Sequence, residues 1–284
     1  MNLGEARVLL TGAAGGIGSA IAAELLAHGA AVLLVDMNDT ALRHLVSDRL
    51  QSSVDRVEVY AANLTKAEER TRLAEFARTW RGGVNVLINN AGVSHFRLLH
   101  EQPGEEVDLA LAVNLQAPIH LCRLLLPHLC RQVDAHILNT GSVFGGLGYA
   151  AYSVYSATKF AIRGFSEALR RELADSSVKV HYLAPRATRT GINSAAVERM
   201  NEELKVAMDA PARVASAVRR MLEEGTAEAV VGWPEKFFVR LNALLPRLVD
   251  GALRKQLPVI RRYAGASASS PSPATDLLST RVQP

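Results

Sequence analysis

The chain has 284 residues, of which 49% are hydrophobic and 21% are charged, as in an average soluble globular protein with a sizeable core. Two cysteines, Cys122 and Cys130, are too few for a disulfide scaffold. The net charge of +4 is modest, and much of it comes from residues 235–262, which indicates an anionic surface or ligand near that end and not nucleic acid.

Nothing at the start of the chain resembles a secretory signal, because a strand-like segment begins already at Arg7. No apolar run approaches the roughly 18–20 residues needed to span a bilayer. We therefore expect a cytoplasmic protein, unless the C-terminal region docks it peripherally on a membrane.

Short, almost continuously apolar segments alternate with helical patterns along the chain. Apolar runs without alternation are typical of strands that are covered on both faces. The predicted strands are 7–12, 30–36, 56–62, 84–90, 135–142, 178–185 and 228–233, and helices are predicted at 17–28, 66–81, 105–131 and 153–174. This order predicts an α/β fold of the Rossmann type, a doubly wound parallel seven-stranded sheet with helices on both faces.

The chain divides into three predicted parts. Residues 1–233 form the nucleotide-binding domain with the active site, 234–263 form an amphipathic helical extension, and 264–284 form a tail rich in Ser, Ala and Pro that we expect to be disordered. The extension has apolar residues at helical spacing, arginines on the other side and Pro246 as a break. It suits a surface helix on anionic lipid, and equally a helix packed on the body or on another subunit.

Glycines follow the first predicted strand in the segment TGAAGGIG, at positions Gly12, Gly16 and Gly18. Glycines at a strand-to-helix turn allow the backbone to approach a pyrophosphate, which the N–H groups and dipole of the helix favour. An ordinary tight turn is the alternative.

Asp36 ends the second strand, where a carboxylate can accept hydrogen bonds from a ribose diol and repel a 2′-phosphate. This pattern favours NAD over NADP, unless Asp36 merely caps a helix.

The segment GYAAYSVYSATKF at 148–160 contains three tyrosines and one lysine. Only Tyr155 has Lys159 four residues later, on the same helix face. A phenol with a pKa of about 10 is a poor base, and a neighbouring ammonium favours its ionised form. Ser142, at the end of the fifth strand, is placed to hydrogen-bond a substrate oxygen. Tyr152 is expected to pack, and Tyr149 to face the substrate.

At this point the sequence resembles the compact single-domain branch of the short-chain dehydrogenase/reductase family, over roughly residues 5–233. The motifs that carry the resemblance are TGAAGGIG at 11–18, Asp36, NNAG at 89–92, Asn114, Ser142, YSATK at 155–159 and Thr190.

The resemblance implies a catalytic tetrad in which Tyr155 is the acid or base and Ser142 positions the substrate oxygen. Lys159 would lower the pKa of Tyr155 and hold the nicotinamide ribose, and Asn114 would anchor a water in a proton relay. The other implied cofactor-binding residues are Gly12, Gly16, Ile17, Gly18, Asp36, Asn63, Leu64, Asn90, Ala91, Gly92, Pro185 and Thr190. No metal site is expected, and relatives imply a homodimer or a homotetramer.

Two positions depart from the family pattern. Asn63 stands where an aspartate is usual. Its amide oxygen is expected to accept a hydrogen bond from adenine, and the N–H of Leu64 is expected to donate one. Arg186 follows Pro185, where glycine is usual. The guanidinium would contact pyrophosphate or an acidic substrate group, or it would point to solvent.

The resemblance and the residues together predict an NAD-dependent oxidoreductase that interconverts a secondary alcohol and a ketone. The substrate is expected to be medium-sized and apolar, with Ser142, Phe144, Tyr149 and Tyr155 as its contacts. Residues 191–210 are expected to form a lid. The alternatives are an NADP-dependent carbonyl reductase and a non-catalytic dinucleotide-sensing regulator.

Overall fold

The computed structural model describes residues 1–267 and contains one sheet of parallel strands. The strands are Arg7–Thr11 (β1), Ala31–Asp36 (β2), Val57–Ala61 (β3), Val86–Asn89 (β4), Ala135–Thr140 (β5), Val178–Ala184 (β6) and Glu228–Val230 (β7). Their order in the sheet is β3-β2-β1-β4-β5-β6-β7, and every neighbouring pair is parallel. The predicted seven-stranded Rossmann-type sheet is confirmed.

Helices cover both faces of the sheet. They are Gly16–Ala27 (α1), Asp39–Arg49 (α2), Ala67–Thr79 (α3), Gly104–Leu111 (α4), Ala117–Leu129 (α5), Ser153–Glu172 (α6), Ala195–Glu203 (α7), Pro211–Glu224 (α8), Glu235–Leu244 (α9), Pro246–Arg254 (α10) and Leu257–Ser267 (α11). One core joins α1, α2 and α8 to one face of the sheet, and a second joins α3, α5 and α6 to the other face. Burial on both faces explains the continuous apolar runs of β1, β2 and β4.

The strand order reverses between β1 and β4, which both leave the sheet at the same edge. In open α/β sheets a crevice forms at this switch point, outside the carboxyl ends of the strands. The glycine turn after β1 and the segment after β4 meet there, so the topology by itself brings two of the predicted motifs together.

The predicted helix 105–131 is continuous but not uniform. Residues Ala112–Gln116 form a π-helical turn between α4 and α5, and Asn114 lies in its middle. By length and composition alone, Gly104–Leu129 is the one described helix apolar enough to cross a membrane, although we expected no such run. Leu121 and Leu125 of this helix are buried against the sheet, as in the core helix of a globular domain.

The C-terminal extension consists of three helices, α9, α10 and α11, and α9 ends just before Pro246. The predicted break at this proline is therefore confirmed. Helix α11 continues to Ser267, past the boundary predicted at residue 263, and packs against α7. Residues 268–284 of the predicted tail lie outside the described part of the chain.

Candidate active site

Gly12 and Gly18, in the turn after β1, are packed too tightly for any side chain. Gly12 has a φ of +66°, and a Cβ there would lie 2.7 Å from Cα of Ala91. A Cβ on Gly18 would lie 2.0 Å from the carbonyl oxygen of Gly12. Within residues 1–267 no side chain caps α1, so the N–H groups of Gly16, Ile17 and Gly18 are available to an anion.

Thr190, distant in sequence, lies against the same turn. A Cβ on Gly16 would come within 2.7 Å of its Cγ2 atom, so glycine is required for this contact. Pro185, at the start of the same loop, accepts a 3.0 Å hydrogen bond through its carbonyl oxygen from the N–H of Val143. The loop after β6 therefore joins the glycine turn to the segment that follows β5.

Asp36 faces the glycine turn from the end of β2. Its Oδ2 accepts a 3.2 Å hydrogen bond from the N–H of Ala14, and its Oδ1 accepts one of 3.3 Å from the N–H of Asn38. Asn38, and not Asp36, caps α2 by accepting from the N–H of Ala41. The capping alternative for Asp36 is therefore wrong. The carboxylate keeps lone pairs for a ribose diol, and it forms no ion pair within the described residues.

The segment after β4 is tied to the end of β1 through Thr11. The N–H groups of Asn90 and Ala91 donate to the Thr11 hydroxyl at 3.0 and 3.1 Å, and the Asn90 side chain donates to the carbonyl oxygens of Thr11 and Gly12. Gly92 lies near the Lys159 ammonium, which is 3.7 Å from a Cβ built on it. This segment therefore connects the glycine turn to the tyrosine–lysine pair.

The amide oxygen of Asn63 is not presented as we expected. It accepts hydrogen bonds from the N–H and the hydroxyl of Thr65, at 3.0 and 2.7 Å. Both of its lone pairs are thereby used. The amide oxygen of Asn63 therefore stabilises a local turn and is not left to accept from an adenine amino group. The N–H of Leu64 is the remaining predicted contact in this segment.

Tyr155, Ser142 and Lys159 lie together at the carboxyl end of β5. Lys159 is buried, donates a 3.0 Å hydrogen bond to the carbonyl oxygen of Thr140, and has its Nζ 5.5 Å from the centre of the Tyr155 ring. Ser142 is buried and its hydroxyl accepts from the N–H of Phe144 at 3.1 Å. The residues that sequence spacing associates are therefore close in space.

The electrostatics of this cluster differ from the expectation. Burial raises the pKa of Tyr155 to about 12, and a hydrogen bond with Ser142 offsets part of this rise. Burial lowers the pKa of Lys159 to about 8. We expected the lysine to lower the pKa of Tyr155, but desolvation is the larger effect in the chain by itself. The tyrosine hydroxyl therefore keeps its proton at neutral pH.

Asn114 is buried in the π-helical turn, a feature that often occurs at functional sites. Its side chain accepts from the N–H of Val93 at 2.8 Å and donates to the carbonyl oxygen of Val93 at 2.9 Å. It also donates to the hydroxyl of Thr158 at 3.2 Å. These bonds fix α4, the segment after β4 and α6 to one another beside Lys159.

Sequence patterns did not point to Tyr182, which lies beneath this cluster. Its hydroxyl donates to the carbonyl oxygen of Ser142 at 3.3 Å. A Cβ on Gly141 or Gly145 would lie within about 2.3 Å of the Tyr182 hydroxyl, so both glycines make room for it. The available signal was the single tyrosine of β6, on the strand that neighbours the Gly141-Ser142 pair.

An apolar cluster surrounds the outer side of Tyr155. Phe144 stacks on Tyr149 with 5.0 Å between ring centres, and Tyr152 is buried among Phe96, Phe144 and Tyr155. The expected packing role of Tyr152 is confirmed. Helices α7 and α11 contribute Val197, Met200, Ile260 and Ala264 to the same cluster. The C-terminal extension therefore forms part of the surroundings of the site.

Arg186 does not point to solvent, and its guanidinium binds carboxylates of the chain itself rather than being left for pyrophosphate or an acidic substrate group. Its guanidinium donates to Asp209 at 2.7 Å and to Glu235 at 3.2 Å, and only a tenth of the side chain is exposed. It also donates to the carbonyl oxygen of Trp233 at 3.1 Å. Arg186 therefore ties the loop after β6 to the residues before α8 and to the start of α9.

These contacts fit a dinucleotide. The uncapped N-terminus of α1 suits a pyrophosphate, Asp36 suits a ribose diol, and Lys159 faces Gly92 in the segment after β4, which contacts the glycine turn. In the described part of the chain, no group of three or more His, Cys, Asp or Glu residues is arranged to hold a metal ion. Together the fold and the site define a nucleotide-binding oxidoreductase of the Rossmann type.

Comparison with known proteins agrees with this class. The family profile described as short chain dehydrogenase matches residues 6–201. Nodulation protein G of Rhizobium meliloti (strain 1021) is 31% identical over 226 residues, which cover 78% of this chain and 91% of the relative. The chain belongs to the short-chain dehydrogenase family, and it is accordingly a dehydrogenase or reductase.

Solved structures show the same fold. A short-chain dehydrogenase/reductase from Burkholderia phymatum in complex with NAD has a TM-score of 0.79 and 25% identity, with 87% of this chain and 96% of the other covered. A metagenomic short-chain oxidoreductase in complex with NADP has a TM-score of 0.69 and 28% identity, with coverages of 81% and 98%. Structural neighbours therefore include proteins bound to either cofactor.

Proposed function

We propose that this enzyme interconverts a secondary alcohol and a ketone with NAD, using Tyr155 as the acid or base at the substrate oxygen. The observation that carries the proposal is the cluster of Tyr155, Ser142 and Lys159 beside the glycine turn. Bound nicotinamide supplies or accepts the hydride.

In the reducing direction the protonated hydroxyl of Tyr155 donates its proton to the carbonyl oxygen, while Ser142 holds that oxygen. Lys159 keeps its proton near neutral pH, since its pKa of about 8 lies above it. In the oxidising direction Tyr155 must first lose its proton to solvent, and the resulting phenolate then takes the proton of the alcohol. The positive charge of Lys159, and that of an oxidised nicotinamide when bound, would favour this phenolate against the effect of burial.

The proposed preference for NAD rests on Asp36. Its carboxylate is held beside the glycine turn by the N–H of Ala14, where a 2′-phosphate would bring a second negative charge. Within residues 1–267, no ion pair with Lys or Arg neutralises this carboxylate. An NADP-dependent reductase remains the alternative.

The proposed substrate is medium-sized and apolar, because the residues around Tyr155 are aromatic and aliphatic. Phe144 meets the Tyr155 ring edge-on, and Met200 and Ile260 lie in the same cluster. An apolar lining favours a substrate with a hydrocarbon body and one polar oxygen. A homodimer or homotetramer is proposed by analogy with the family.

A screen of secondary alcohols with NAD and of ketones with NADH tests the proposal, with Tyr155→Phe as the matched variant. We expect the unmodified enzyme to turn over at least one substrate and the variant to be slower by about 100-fold or more. Cofactor binding, measured by fluorescence titration, should be retained in the variant. Normal turnover by Tyr155→Phe would contradict the role of this tyrosine. Cofactor binding without turnover of any substrate would favour the dinucleotide-sensing alternative.

A further inference from the structure

Six large apolar side chains are exposed within sixteen residues of the C-terminal extension. The exposed fractions reach 79% for Leu244, 70% for Trp233 and 64% for Leu248. We call this surface the C-terminal apolar patch; its members are Trp233, Phe237, Phe238, Leu244, Leu245 and Leu248. The rings of Trp233, Phe237 and Phe238 contact one another in series, so the patch is contiguous at this end. Contiguous exposed apolar surface marks an interaction site.

The patch includes the outer side of α9, together with Trp233 before this helix, Leu245 after it and Leu248 in α10. The inner side is defined by Val239, which is buried against Gly146, and by Asn242, which donates a 2.9 Å hydrogen bond to the carbonyl oxygen of Gly146. A helix on the surface of a globular protein normally turns charged residues outward. Helix α9 instead exposes Phe237 and Leu244 on the side opposite Val239, so its two opposite faces both require apolar contacts.

Exposed basic residues accompany the patch along the C-terminal extension. They are Lys236, Arg240, Arg247, Arg254, Lys255 and Arg261. None of the six forms an ion pair within the described residues, whereas Glu235 is already engaged by Arg186. Asp250 is the one acidic side chain between residues 233 and 262 that forms no ion pair, so the surface is apolar and carries an excess of positive charge.

The charge distinguishes between the possible occupants. A symmetric dimer would set the patch against its own copy and bring like charges face to face. An anionic lipid surface offers acyl chains to the apolar side chains and headgroups to the arginines, and tryptophan is favoured at that interface. We propose that the C-terminal apolar patch docks the enzyme peripherally on an anionic membrane, with α9 and α10 lying in the plane of the headgroups.

Co-sedimentation of the full chain with vesicles tests this proposal. We expect binding to phosphatidylcholine vesicles that contain phosphatidylglycerol, and little binding to phosphatidylcholine alone. Leu244→Ser combined with Leu248→Ser should weaken binding by about tenfold, because exposed leucines lose their contact with the acyl region. Leu99→Ser is the matched control, since Leu99 is 61% exposed but lies outside the patch.

The charge is tested separately. Each basic residue near an anionic leaflet strengthens binding about fivefold, so Arg240→Gln combined with Arg247→Gln should weaken it about 25-fold at low salt. Arg49→Gln combined with Arg72→Gln is the control for a loss of two exposed arginines elsewhere. Unchanged secondary structure by circular dichroism verifies that the variants fold.

Three results would overturn the proposal. The first is failure of the unmodified chain to sediment with anionic vesicles. The second is equal binding by the patch variants and their controls. The third is self-association that the Leu244→Ser, Leu248→Ser variant abolishes without any vesicle binding by the unmodified chain, which would identify a second copy as the occupant.

Discussion

The hydroxyl of Tyr149 donates a 2.6 Å hydrogen bond to the side-chain oxygen of Gln256, just before α11. Tyr149 stacks on Phe144, which in turn meets the ring of Tyr155 edge-on. A residue of the C-terminal extension is thereby connected to the proposed acid–base group through two aromatic rings.

We predict that Tyr149→Phe and Gln256→Leu each raise KM about fivefold with little change in kcat. Helix α11 forms part of the surroundings of the site, and loss of this hydrogen bond loosens it. Binding of the substrate and of the transition state is then weakened equally, so KM rises while kcat is kept. Steady-state kinetics of both single variants and the double variant form the test. If loss of the hydrogen bond causes the rise in KM, the double variant has the same KM as either single variant. Additive effects of the two substitutions on KM would contradict this explanation.

Asp36→Ala should change the choice of cofactor. Removing the carboxylate beside the glycine turn removes both a ribose acceptor and a charge that repels a 2′-phosphate, so the ratio of kcat/KM for NADP to that for NAD should rise at least about tenfold. Asp39→Ala, three residues later and paired with Arg43 at the surface, is the matched control. An unmodified enzyme that already prefers NADP would contradict the prediction.

Lys159→Met should stabilise the fold and inactivate the enzyme. Burial lowers the pKa of Lys159 from 10.5 to about 8, so the folded chain holds fewer protons than the unfolded chain between these values. Stability therefore rises with pH in this window, and below pH 8 the full cost of burying the ammonium is present.

The gain at pH 7 should be about 1–2 kcal/mol once the lost hydrogen bond to the Thr140 carbonyl is subtracted. The value of kcat/KM should fall at least about 100-fold. Urea unfolding and kinetics of the same preparation measure both quantities, with the exposed Lys66→Met as a control that should leave both unchanged. A destabilised Lys159→Met chain would show that the ammonium stabilises the fold.

Arg186→Met should destabilise the chain by about 3 kcal/mol. The substitution removes the closer partner of Asp209, which is 5% exposed, and the contact with Glu235 at the start of α9. Arg213→Met removes another partner of the same carboxylate oxygen, but Arg213 is 56% exposed and should contribute less than about 1 kcal/mol. Equal losses of unfolding free energy in urea would contradict the structural role of Arg186.

A buried histidine pair predicts loss of stability in acid. His181 donates from Nδ1 to the carbonyl oxygen of Thr226, so its Nε2 accepts from Nδ1 of His136 at 2.8 Å, and Nε2 of the neutral His136 has no proton to donate to Oδ1 of Asp134, which lies 3.1 Å away. Burial, followed by the neighbouring His181, lowers the pKa of His136 to about 4, although Asp134 opposes this shift; burial also lowers the pKa of His181.

Below pH 6.5 the unfolded chain therefore binds more protons than the folded chain, and stability falls as the pH falls towards 4. The loss attributable to His136 at pH 5 should be about 2 kcal/mol. Urea unfolding between pH 7 and pH 5 measures it. His136→Gln should reduce this pH dependence, whereas the exposed His44→Gln should leave it unchanged; identical profiles for the two variants would refute the assignment.

The residue pattern predicted the sheet and the elements that position the site. Continuous apolar runs are a local property of strands buried on both faces, and a Tyr and a Lys four residues apart on one helix need no tertiary information. The glycine turn was equally readable, because its tight packing against Ala91 and Thr190 tolerates no Cβ. The strand ends were less well predicted: β7 ends at Val230 rather than 233, and Gly232 follows it with a φ of +110°.

The sequence by itself thus determined the fold class, the family and the proposed acid–base group, since these depend on periodicity and short spacings. Only the tertiary structure decided the partners of Arg186, the occupied amide oxygen of Asn63, and the support that Tyr182 gives to Ser142. It also decided that burial outweighs Lys159 in the pKa of Tyr155. The physical reason is that desolvation and ion pairing depend on which distant segments cover a group, and no local pattern encodes that.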